Sequence, residues 1–166
     1  MERKATTKFL GDLLVRNRLT GIGKYYASEV SLDYGTINVR RVDFMQFEPA
    51  SVVNVSGIEK GFFTSYEVKS CKADFLSGFG QNFVTEKNYF VMPMALYKEV
   101  AEDIKHPIGV MCPVPSYRNK IMEFEDPTPL NTKDTAWTME IMRPAHMVSR
   151  ERSMTELLFC MLRSGH

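Results

Sequence analysis

Residues 89–112, YFVMPMALYKEVAEDIKHPIGVMC, decide how this chain is read. The apolar run at 89–92 has the length of a buried strand and is stopped by Pro93. Pro93 suits the start of a helix, Leu96, Val100 and Ile104 then recur at helical spacing, and Pro107 lies beyond the helix end. A second short apolar run occupies 108–112. Strand, helix, strand over so few residues predicts a crossover between two parallel strands, and with it an α/β fold.

Working outward, 36–47 alternates as a strand through Ile37, Val39, Val42, Phe44 and Phe47 until Pro49 ends it. A second strand is predicted over 62–70, rich in aromatic and β-branched residues yet carrying Tyr66-Glu67-Val68-Lys69. The polar connection at 70–88 contains a short predicted helix near 73–76. Toward the N-terminus, Thr6 or Thr7 caps a helix running through Phe9, Leu10, Leu13 and Leu14 to about Arg18, and 27–32 reads as strand or helix. Downstream, 121–125 reads as an edge strand closed by Pro127 and Pro129, while 135–142 and 153–162 read as helices, the latter with Leu157, Leu158, Met161 and Leu162 on one side. The expectation is one α/β domain over 1–166, a mixed β-sheet flanked by helices, with a helical C-terminal segment from about 135.

Composition narrows the function classes. Of 166 residues, 44% are hydrophobic and 25% charged, with 21 basic against 20 acidic side chains. That is the profile of a globular domain with a core of its own, and it excludes a strongly basic histone-like binder. Cys71, Cys112 and Cys160 are odd in number and widely spaced, which fits reduced thiols, and His106, His146 and His166 are equally scattered. Neither a signal peptide nor an apolar run of about 18 residues is present, so a cytoplasmic protein without membrane spans is expected.

The chemistry rests on three residues. Asp43 lies in one predicted strand, and Glu67 and Lys69, two apart on the next, project from the same face. If the two strands are hairpin neighbours, two carboxylates and an ammonium meet. Such a pair of acids suits a hard divalent cation, Mg²⁺ or Mn²⁺, which polarises a phosphodiester while the lysine steadies the charge that develops. Cross-strand charge pairs on a solvated face are the bland reading of the same residues.

Asp43 followed after 24 residues by Glu67-Val68-Lys69 resembles the PD-(D/E)XK nuclease superfamily, the restriction-endonuclease-like fold. The strings Ser28-Glu29-Val30, Arg41-Val42-Asp43-Phe44, Tyr66-Glu67-Val68-Lys69-Ser70-Cys71, Asp74-Phe75 and Asn88-Tyr89-Phe90-Val91-Met92-Pro93 are similar to its small MmcB-like and phage-type branches. The resemblance spans 28–115 and departs from the superfamily pattern at Val42, where a proline is usual. It implies that Asp43 and Glu67 bind metal, that Lys69 is the catalytic lysine, that Glu29 assists, and that the protein hydrolyses DNA.

Around these, Arg40, Arg41 and Lys72 form a basic rim for the phosphate backbone, and Gln81 matches a glutamine that some exonuclease-like members place after the motif. Asp74 either orients a lysine or caps a helix. Backbone N–H groups at 77–82 could face a phosphate, and Tyr25, Tyr26, Tyr66 and Tyr89 could stack on bases where exposed. The apolar stripe on the last helix is core or a homodimer interface. A non-catalytic nucleic-acid-binding or adaptor protein is the alternative to the nuclease.

Overall fold

The computed structural model describes residues 1–51 and 53–164; of the three histidines, His166 lies outside them. Among the described residues six strands form one sheet in chain order: β1 (Tyr25–Leu32), β2 (Arg40–Glu48), β3 (Phe62–Val68), β4 (Lys87–Val91), β5 (Gly109–Pro115) and β6 (Trp137–Arg143). β1, β2 and β3 are an antiparallel meander, β3, β4 and β5 run parallel, and β6 returns antiparallel to β5. The fold is α/β, a mixed sheet flanked by helices.

Both faces of the parallel strands are covered, which is why 89–92 is apolar on every residue. Tyr89 and Val91 pack with Leu10, Leu13 and Leu14 of α1 (Arg3–Leu14). Phe90 and Met92 pack on the other face with Met94, Leu96, Tyr97 and Val100 of α4 (Met94–Val100), together with Phe75 of α3 (Lys72–Leu76). A third cluster joins β1, β2 and β3 to Leu157 and Met161 of α6 (Met154–Ser164), with Ile58 of α2 (Val55–Glu59) partly buried against it. Gly11 lets α1 approach the sheet, since a Cβ there would lie 3.1 Å from the Phe44 ring.

The structure corrects several expectations. Residues 135–142 are not a helix but lead into β6, because Trp137, Met139 and Ile141 pack on the α1 side while Met142 meets the α4 cluster, a period of two. Residues 121–125 are not an edge strand but belong to α5 (Lys120–Glu125), whose Asn119 cap accepts from Met122 N–H at 2.8 Å. Thr6 and Thr7 do not cap α1; both sit inside it and bond back to the carbonyls of Glu2 and Arg3. Past Leu14 the helix widens into one π-helical turn, Val15–Leu19. β2 begins only at Arg40, leaving Ile37 and Val39 exposed in the preceding turn, and Leu162 is exposed outside the buried stripe of α6.

α6 is tied to the β1–β2 turn by charge. Arg152 donates to both oxygens of Asp33 at 2.8 and 2.9 Å and to Glu156 at 2.8 Å. The Arg152 guanidinium holds the Asp33 carboxyl below the usual carboxylate range. A lowered folded pKa contributes stability that is present above the unfolded value of about 3.9 and is lost as pH falls through the folded one. Acid unfolding followed by circular dichroism is therefore expected to lose part of its slope below pH 4 in Asp33→Asn; an unchanged slope would show that this bridge is not coupled to folding.

Candidate functional site

The antiparallel ladder between β2 and β3 stops at the Phe44–Tyr66 pair. One step beyond, the side chain of Asp43 takes over: its Oδ2 accepts from the Val68 N–H at 2.8 Å. The sheet is irregular here. Ala27 and Val30 of β1, and Val42 and Met45 of β2, belong to one core cluster although each pair is three residues apart, so strict alternation breaks between them. Inside the break Glu29 has φ +52°, and with Ser28 opposite Phe44 and Val30 opposite Val42 it falls across from Asp43. Such interruptions re-aim side chains, and they recur beside functional sites.

Glu67 and Lys69 are 1% and 3% exposed. The Lys69 ammonium donates to the Phe79 carbonyl, and the Glu67 carboxyl approaches Asp43 and the Asn82 N–H. Glu67 Oε1 is buried with no hydrogen-bond partner. Burial, reinforced by the neighbouring charge of Asp43, pushes Glu67 up to about 9. Burial also raises Asp43, opposed by the Val68 N–H and the charge of Lys69. A carboxylate pair that is costly to ionise and holds an orphaned oxygen is a donor set suited to a small divalent cation, which supplies the missing positive charge.

The loop after α3 closes over this pair. At Gly80, φ is +67° and a Cβ would lie 3.0 Å from Glu67 Oε2 and 3.4 Å from Lys69 Nζ, so any other residue would be strained in its backbone and crowd both groups. A cleft of about 650 Å³ opens in front, lined in part by Arg40, Arg41, Asp43, Phe79 and Asn82. A smaller recess of about 240 Å³ between α1 and β2 holds Glu29 on the other side of Asp43. A separate apolar hollow of about 390 Å³ lies beside Tyr25, Phe47 and Leu162, with no charged side chain in its wall among the described residues.

The structure thus brings together Asp43, Glu67 and Lys69, with Glu29 across the strand pair. Arg40 and Arg41 reach the cleft, each beside a carboxylate: Asp33 at 3.5 Å and Glu29 at 3.7 Å. Lys72 instead pairs with Glu99 at 3.6 Å on α4, and Gln81 donates to the Phe75 carbonyl at 3.5 Å; neither lines the cleft. Asp74 accepts from the Ser70 N–H at 3.2 Å and from Arg3 at 2.9 Å, stabilising the entry to α3 and orienting neither lysine. Tyr66 and Tyr89 are buried and stacked on each other, with centroids 5.7 Å apart. The stretch 77–82 was expected to offer only its backbone N–H groups, and the side chains of Phe79 and Asn82 were given no role; the sign was the pair of glycines flanking Phe79.

No protein-family model matches this chain, and no curated protein matches it. Among solved structures it is similar to a protein of unknown function from Silicibacter pomeroyi, at 18% identity and TM-score 0.60, over 95% of this chain and 84% of that one. That likeness shows the fold. What the site does has to be read from its own geometry.

Proposed function

We propose that the protein is a metal-dependent deoxyribonuclease that hydrolyses DNA phosphodiester bonds. The observation that carries this reading is the buried Glu67, its Oε1 unpartnered, beside Asp43 and two residues from the buried Lys69. Asp43 and Glu67 would hold Mg²⁺ or Mn²⁺; when bound, such an ion supplies charge neutralisation and Lewis-acid polarisation of the phosphodiester. Lys69 places a fixed positive charge where negative charge develops in the transition state, and its burial strengthens that interaction. Arg40 and Arg41 exchange their carboxylate partners, the half-buried Asp33 and the exposed Glu29, for backbone phosphates at small cost, since Asp33 keeps Arg152 and surface ion pairs contribute only about 0–1 kcal/mol.

A second reading, a nucleic-acid-binding or adaptor protein without turnover, draws on the burial of Glu67 and Lys69 beneath the loop at 78–80. Calorimetry with Mn²⁺ separates the two. A saturable heat is expected for the unaltered chain, weakened at least about 100-fold by Asp43→Asn with the circular dichroism spectrum unchanged. Absence of that heat from the unaltered chain would overturn the metal-dependent reading.

A further inference from the structure

Phe79, at 81%, is the most exposed aromatic side chain among the described residues, and it lines the polar cleft. It stands between Gly78 and Gly80, both at positive φ, with its N–H tied to Ser77 Oγ at 3.3 Å. Its carbonyl accepts from Lys69, so the residue that presents the ring also holds the proposed catalytic lysine. Behind it, Asn82 donates to the Arg41 carbonyl at 2.9 Å, which ties the loop to β2. The wall of the same cleft carries Arg40 and Arg41, whose guanidinium groups match phosphate oxygens, and the half-exposed Val39. The exposed ring, the arginines and Asp43 therefore border one opening, whose wall at Gly80 lies directly against the buried Glu67 and Lys69.

Resting on the nuclease reading, we infer that Phe79 is a stacking platform for an unpaired nucleobase, and that the preferred substrate is single-stranded or locally unpaired DNA. An aromatic face binds any base, but only one that is free of its duplex neighbours. Stacked on Phe79, a base brings its own phosphate to the side of the cleft where Asp43 and Gly80 lie, with Glu67 and Lys69 buried against Gly80. The ring itself makes no contact that folding needs, so its replacement leaves the loop and the Lys69 hydrogen bond, a main-chain contact, in place.

The test uses a single-stranded oligonucleotide carrying 2-aminopurine, and the same sequence as a duplex, titrated with the whole chain in EDTA. Quenched fluorescence and tighter binding of the single strand are expected. Phe79→Ala should weaken that binding about 10-fold, within the range for one base–aromatic stack, while Phe79→Trp retains it. The salt dependence should not change, because the phosphate contacts remain. Unquenched fluorescence, equal affinity for the two DNA forms, equal binding by Phe79→Ala, or no binding at all would each overturn the platform. Cleavage in Mn²⁺ is scored separately. A chain that quenches but does not cleave keeps the platform and loses the nuclease reading. Cleavage of single strands with kcat/KM unchanged by Phe79→Ala does the reverse.

Discussion

Lys69→Ala is expected to lower metal-dependent nicking of DNA by about 10²–10³-fold, the usual loss when one fixed charge or donor is taken from a developing oxyanion. The loss should fall on kcat. KM for DNA should hardly move, because Lys69 is 3% exposed and does not line the cleft, whereas Arg40 and Arg41, the proposed phosphate contacts, do. Mn²⁺ binding should persist, since Asp43 and Glu67 remain. Truncating a buried side chain also leaves a void and frees the Phe79 carbonyl, so Lys69→Met, which keeps most of the volume, serves as the companion variant. Both should stay folded by circular dichroism and both should be inactive. Unchanged nicking by a folded Lys69→Ala protein would sink the mechanism.

What could be read beforehand follows from which patterns are local. The crossover at 89–112 was legible because two apolar runs and two prolines bracket a helical period, and β4, α4 and β5 lie there with the strands parallel. The meeting of Asp43 with Glu67 followed from treating β2 and β3 as hairpin neighbours, which their antiparallel register confirms. Residues 137–143 were harder. Trp137, Met139 and Ile141 alternate, but that pattern becomes decisive only because β5 offers an open edge, a partner distant in sequence. At 120–125 the prolines that follow stop a helix as readily as a strand, and the Asn119 cap was the overlooked sign. Arg40, Arg41 and Lys72 share a charge, yet Lys72 faces α4 because α3 turns it there, something spacing along the chain does not encode.

The second large effect concerns Glu67 and has the opposite sign with and without metal. In EDTA the folded chain carries a buried carboxyl that burial and Asp43 push up to about 9, against about 4.3 for an unfolded glutamate. Between those values the unfolded state sheds its proton first, so the stability contributed by Glu67 is fully present below the unfolded value and lost as pH rises through the folded one. Glu67→Gln cannot ionise, and its amide can donate to Asp43, which Glu67 already approaches. Urea unfolding at pH 8 in EDTA is therefore expected to show the variant more stable by about 2 kcal/mol, the scale of an uncompensated buried polar group. Saturating Mn²⁺ should reverse the order, because an ion at 100 times its Kd stabilises the unaltered chain by about 2.7 kcal/mol and finds no second carboxylate in the variant. The EDTA half follows from burial and Asp43 alone, whereas the reversal in Mn²⁺ requires that Glu67 hold the ion. If Glu67→Gln is the less stable protein in EDTA and Mn²⁺ moves both proteins equally, Glu67 is a buried fold residue and the metal site is elsewhere or absent.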